Sequence, residues 1–160
     1  MARHYAAVLK ALRVTPIVIG KNKASAEAFA AETGIPAHFR GVPAWRKSVK
    51  KIPRHAIVVV PADKLSSVAL EVISAGCRRI LLEKPGGLTI KEIRSVADAA
   101  RKSGSRVCIA YNRRFFTSVL KAKEYIRQDG GVTSFSFAFN EKLSQKQSIK
   151  KLGIGQAVER

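Results

Sequence analysis

Cysteine, histidine, acidic side chains and long apolar runs are all scarce in this chain, and each scarcity excludes something. No stretch approaches the ~18 apolar residues a membrane-spanning helix needs. No signal-peptide layout opens the sequence either, so a cytoplasmic protein is expected. Cys77 and Cys108 stand far apart, outside any C-x-x-C or ligand cluster. That pattern argues against a disulfide framework and a metal site, and for two buried free thiols in a reducing compartment. His4, His38 and His55 are scattered, and none pairs with an acid at catalytic or ligand spacing, so structural or surface roles are expected. Acids number 11 against 30 basic residues, a net charge of +19. The excess runs along the whole chain rather than in one arm. Such a field draws anions, nucleic acid included, at low salt. Basic residues are not interleaved with aromatics and no nucleic-acid motif accompanies them, so nucleic acid is not the expected partner. A basic proteome or an acidic partner subunit is the plainer source of the charge.

At 160 residues and 46% apolar composition the chain can bury a real core and is not a disordered polypeptide. Tyr5, Val8, Leu9 and Leu12 recur at i, i+3, i+4 and i+7, one apolar face of an opening helix. Residues 16–20 read as a short buried strand. Asn22 then caps an alanine-rich helix that ends at Gly34. Residues 37–40 form a weak strand, 45–52 a short basic helix or turn, and 56–60 the best strand of the first half. Leu65, Val68, Ala69, Val72 and Ile73 make a helical stripe stopped by Gly76. A strand over 79–82 follows. Thr89 and Glu92 form a T-x-x-E capping box for a helix with Ile93, Val96, Ala97 and Ala100 inward. Residues 106–110 are a further strand. This rhythm predicts an α/β fold, a doubly wound parallel sheet. A helix over 117–128 comes next. Residues 132–139 then alternate with Phe135, Phe137 and Phe139 on one face, the start of a C-terminal α+β domain. Residues 141–160 lack a core-forming period, and a flexible basic tail is expected.

The most informative segment is Leu81-Leu82-Glu83-Lys84-Pro85-Gly86-Gly87-Leu88-Thr89. An apolar strand runs straight into Glu-Lys-Pro, placing a lysine where open α/β sheets bind ligands. Its ammonium can be desolvated there to donate or carry a proton. A cis bond at Lys84–Pro85 would aim it into the crevice. The plainer reading is a strand-to-helix turn with a solvated Glu-Lys pair. One helix and one strand later stands Tyr111-Asn112-Arg113-Arg114-Phe115.

With the strand ending at Pro61, these pieces resemble the glucose–fructose oxidoreductase/inositol dehydrogenase/rhizopine-catabolism (Gfo/Idh/MocA) family of nicotinamide-dependent oxidoreductases, over roughly residues 3–139. The resemblance implies a Rossmann-like nucleotide-binding domain at 1–116, incomplete because its first strand is lacking, and the beginning of a substrate domain at 117–140. It implies hydride transfer between nicotinamide and a sugar-like or polyol hydroxyl. Lys84 is then the catalytic candidate, as proton donor or electrostatic anchor of that hydroxyl. Glu83, Lys84 and Pro85 would face the nicotinamide ribose and the substrate carbon, and Pro61 the cofactor. Asn112 and Arg113 match the family's polar cluster beside the nicotinamide; a solvated interdomain loop is the plainer reading. Where the family has a polar pair after the proline this chain has Ala62-Asp63, and Leu65 replaces a frequent histidine. At the end of the second strand Lys21 and Asn22 supply no acid, which favours NADP over NAD. Lys21 could equally be one of many basic side chains.

Two family features are absent. The chain has no G-x-G-x-x-G turn, and nothing beyond Asn140 supplies the substrate domain's acid–histidine pair. The pattern reads as truncated at both ends. In the usual strand order the first strand is central, so the strands over 16–20 and 56–60 would face a gap with unpaired backbone groups. Either they close on each other, another segment such as 135–139 fills the slot, or the domain is marginal. A nicotinamide-dependent oxidoreductase, a non-catalytic remnant or partner-binding subunit (homo-oligomerisation included), and a nonspecific nucleic-acid binder therefore all stay open.

Overall fold

Short apolar runs set five strands and six α-helices among residues 1–136 and 138, which a computed structural model of the chain describes. The order is α1 (Ala2–Ala11), β1 (Val18–Ile19), α2 (Lys23–Thr33), β2 (Ala37–His38), α3 (Gly41–Ser48), β3 (His55–Val58), α4 (Leu65–Ala75), β4 (Arg79–Leu82), α5 (Ile90–Ser103), β5 (Arg106–Ile109) and α6 (Thr117–Gln128). The chain divides into two compact units, Met1–Asn112 and a second that begins at Arg113.

Every strand pair in the first unit is parallel, as alternation of strand and helix requires. β1 pairs with β2 through Val18↔Ala37 and Ile19↔His38. β4 lies between β3 and β5, with Val58↔Leu82 and Leu82↔Ile109 in register. Period-2 alternation sends Val58, Ile80 and Leu82 to one face, where α4 and α5 cover them. Leu65, Ala69, Val72 and Ile73 of α4 and Val96 and Ala100 of α5 complete that core. Leu65 and Leu82 are fully buried, and each stabilises the fold by roughly 1.5–3 kcal/mol.

The local signals act where they stand. The Asn22 side chain accepts the Ser25 N–H at 2.9 Å and starts α2. Thr89 and Glu92 close the full capping box of α5. β4 and α6 occupy the residues their patterns predict. β1 is shorter than the apolar run suggests, with Ile17 left outside it and 53% exposed.

Four expectations need correction. The stripe on α1 is not buried: Ala6 is, while Val8 and Leu12 are 56% and 67% exposed. Among the described residues no strand pairs with the second edge of β1 or the outer edge of β3, so the sheet that stripe would cover is interrupted. Among the described residues, the two candidate strands thus neither close on each other nor have the slot filled. On α5, Ile93 and Ala97 are exposed and only Val96 and Ala100 are buried, a narrower contact than the periodicity implied. Cys77 is buried but Cys108 is exposed, because Val107 and Ile109 take the core face of β5 and alternation turns Cys108 away. Residues 132–136 form no strand, and Phe135 is 82% exposed. Phe137, Phe139 and the predicted tail lie outside the described residues.

In the second unit none of the α6 side chains is buried. No described helix is long and apolar enough to cross a membrane.

Candidate functional site

The last residues of β3, β4 and β5 are tied together by their own backbones. The Glu83 N–H donates to the Val58 carbonyl at 3.0 Å, and the Ala110 N–H donates to the Leu82 carbonyl at 2.8 Å. The chain then leaves β4 through a four-residue turn that the Gly86 N–H closes on the Glu83 carbonyl at 3.0 Å. Lys84 and Pro85 are its central residues, and the peptide bond between them is cis, as a turn with proline in third place requires. Lys84 is exposed, and among the described residues it has no ion-pair partner. Gly86 sits at φ +88, and a Cβ added there would stand 2.7 Å from Ile109 Cδ1, so any side chain would have to push that methyl aside. Leu88 and Thr89 donate their N–H groups to Glu92 at 2.6 and 3.2 Å, anchoring the far side of the turn on α5.

Glu83 is the unusual member. It is 6% exposed, and a carboxylate withdrawn from water needs hydrogen-bond partners. Its Oε1 accepts the Tyr5 hydroxyl at 2.8 Å, and its Oε2 accepts the Lys84 N–H at 3.2 Å. Burial pushes the Tyr5 phenol above its ordinary range; the Glu83 carboxylate adds to that rise, and a hydrogen bond from the Asn112 side chain opposes it. Tyr5, Glu83, Lys84 and Asn112 therefore meet at the carboxyl end of the three-stranded sheet.

The other sequence candidates lie apart or differ in role. Pro61 follows β3 at the same end of the sheet, exposed, and caps a short 3-10 turn with its carbonyl. Lys21 and Asn22 follow β1 of the two-stranded sheet; Asn22 spends its side-chain oxygen on the α2 cap, while Lys21 is exposed. Arg113 opens the second unit and is exposed. His4, His38 and His55 are all exposed. Tyr5 is the site residue that sequence reasoning missed. Its one signal was a phenol inside an otherwise apolar stripe, since a tyrosine tucked against protein usually finds an acceptor.

Shallow clefts of about 300 and 310 Å³ lie elsewhere, one beside Trp45 and Arg40, the other between the end of α1 and Gly34. Neither gathers the converging polar groups found at the β4 turn, which is the better candidate on chemistry.

The profile of the oxidoreductase family with an NAD-binding Rossmann fold (GFO_IDH_MocA) matches residues 2–111. No individual curated protein matches the sequence. Among solved structures, the UDP-N-acetylglucosamine 3-dehydrogenase GnnA from Acidithiobacillus ferrooxidans is 26% identical, with TM-score 0.62, over 80% of this chain and 39% of its own. An NAD binding oxidoreductase from Klebsiella pneumoniae is 25% identical, with TM-score 0.59, over 79% of this chain and 34% of its own. The WlbA dehydrogenase from Bordetella pertussis, solved with NADH and UDP-GlcNAcA, shares the fold at 20% identity and TM-score 0.65, over 77% of this chain and 37% of its own. This chain thus spans less than two fifths of each of these three proteins.

Proposed function

The chain belongs to the Gfo/Idh/MocA oxidoreductase family, and from that membership we propose that the carboxyl edge of β3, β4 and β5 holds the nicotinamide end of a dinucleotide beside a sugar-like or polyol hydroxyl. The observation that carries this reading is the Glu83-Lys84-Pro85 turn, whose exposed ammonium has no ion-pair partner among the described residues and stands at the end of the central strand of a parallel sheet. Ligands of open α/β sheets bind at such ends. The residues present fit the nicotinamide half; no glycine-rich turn in the sequence cradles a pyrophosphate. When bound, nicotinamide supplies the hydride acceptor. The chain's own part is to bind and orient: Lys84 Nζ holds the substrate hydroxyl and its proton, with Pro85 stiffening the turn. Pro61 and Asn112 line the cofactor side, and Glu83 reaches it through the backbone it braces.

Lys21, at the end of β1 with no acid beside it, favours NADP over NAD. The nucleotide-sugar dehydrogenases among the relatives support a sugar-like substrate. A reducing cytoplasm suits the two free thiols.

Thermal unfolding of the whole chain, followed by circular dichroism with NADPH or NADH, tests the reading. A ligand present at ~100 times its Kd adds about 2.7 kcal/mol to the state that binds it. NADPH should raise the midpoint by several degrees, and more than NADH. Lys84→Ala should abolish any turnover of a sugar alcohol while sparing most of that shift. A cooperative melt indifferent to both nucleotides would refute the proposal.

A second reading draws on the edges of β1 and β3 that no described strand pairs with. Unpaired strand edges invite pairing with another chain, which would make this a partner-binding subunit. Concentration-dependent mass by light scattering, without a nucleotide response, would favour it.

A further inference from the structure

We propose that Tyr5 is a positioning residue for Lys84, acting through Glu83. Three segments distant in sequence meet at its hydroxyl: α1, the end of β4, and the short turn that follows β5. The hydroxyl donates to Glu83 Oε1 at 2.8 Å across 78 positions of sequence, and the Asn112 side chain stands close enough to pull the phenol pKa the other way. With Oε1 taken by Tyr5 and Oε2 by the Lys84 N–H, each carboxylate oxygen has an internal partner. Glu83 is thereby a brace, and Tyr5 sets the angle at which the brace stands.

The geometry gives Tyr5 leverage in two directions. Glu83 sits in the turn that carries the cis Lys84–Pro85 bond, so rotation of its carboxylate releases the backbone N–H of the lysine that faces the ligand. Tyr5 also secures α1, whose other attachments are slight: one buried residue, Ala6, and an exposed Arg3–Glu32 ion pair at 2.6 Å. Removing the hydroxyl leaves a largely buried carboxylate oxygen without its donor. That oxygen must then swing toward water or toward Lys84. The raised phenol pKa agrees with a hydroxyl that keeps its proton and donates it to an anion.

The idea rests on Lys84 as the ligand-facing amine, and the test separates the two. Lysines of the full chain are 13C-dimethylated, and the Lys84 signal is assigned with Lys84→Arg. In Tyr5→Phe that signal should shift or broaden while the protein still melts cooperatively. Tyr125→Phe, on α6, should leave it unchanged. Glu83→Gln keeps an acceptor for the phenol but loses its charge, and should move the signal in the same direction by less; it carries the test if Tyr5→Phe does not fold. NADPH affinity, read by titrating the Lys84 signal, should fall roughly tenfold in Tyr5→Phe. An unchanged Lys84 signal in a folded Tyr5→Phe, or in Glu83→Gln when Tyr5→Phe fails to fold, overturns the positioning role. Absence of any NADPH response in the unmutated chain would instead remove the cofactor reading, and the variant signals would still decide the role of Tyr5.

Discussion

Replacing Gly86 by alanine should cost about 2–3 kcal/mol of stability, and the structure divides that cost into two parts. Gly86 lies at φ +88, a left-handed conformation that disfavours a Cβ by roughly 1–2 kcal/mol. The added Cβ would also stand 2.7 Å from Ile109 Cδ1, 3.6 Å from its Cγ1 and 3.8 Å from Leu82 Cδ2. Cδ1 is the free end of its side chain and can turn away, so the contact adds only about 1 kcal/mol, the cost of an unfavoured rotamer. Gly34 separates the parts. It has a similar φ of +72 but nothing within 4 Å of an added Cβ, so Gly34→Ala reports the backbone penalty alone. Ile109→Val trims the clashing methyl and by itself costs about 0.5–1.5 kcal/mol. Combined with Gly86→Ala it should relieve the contact, leaving the double variant about 1 kcal/mol more stable than the sum of the singles. Urea unfolding of the five proteins, followed by circular dichroism, measures all of these terms. If Gly86→Ala were no worse than Gly34→Ala and additive with Ile109→Val, the close approach of the turn to β5 would be refuted.

The remaining expectations are simpler. Thr89→Ala removes half of the α5 capping box and should lower stability by about 1 kcal/mol, read from the urea midpoint; no change would mean that Glu92 holds the helix start unaided. A raised phenol pKa means the folded state keeps the Tyr5 proton longer than the unfolded chain, whose value is near the ordinary 10.0. Stability from this group is therefore complete below that pH and drains away as pH rises through it toward the folded value. The alkaline fall in midpoint should be shallower in Tyr5→Phe, and identical slopes would argue against the phenol–carboxylate bond. Cys108 is exposed, while Cys77 is buried and its thiol is pushed up by that burial. One thiol should thus react quickly with a disulfide reagent in the native protein, and Cys108→Ser should abolish the fast phase. Two slow thiols would place Cys108 inside.

What could be read without coordinates was whatever depends on near neighbours in sequence. Thr89 and Glu92 are three residues apart, so the capping box needs nothing but the helix it starts. The apolar stretch of β4 running into Glu83-Lys84-Pro85, the Asn22 cap and the span of α6 are equally local. Exposure was misjudged where periodicity was asked to stand for contact. Val8, Leu12, Ile93 and Ala97 satisfy helical patterns, yet they stay exposed because a stripe is buried only when a partner surface lies against it. Cys108 looked like a core residue until Val107 and Ile109 took the core side of β5.

The sequence by itself determined the strand–helix rhythm, the parallel pairing it enforces, and a lysine held in a rigid turn at a strand end. Only the tertiary structure decided that the described strands fall into a two-stranded and a three-stranded sheet, that Glu83 is buried rather than solvated, and that its partner is Tyr5. The reason is physical. Propensity, capping and turn chemistry act within a few residues. A buried carboxylate is satisfied by whatever the fold brings within hydrogen-bond reach, and no spacing in the sequence encodes a partner 78 positions away.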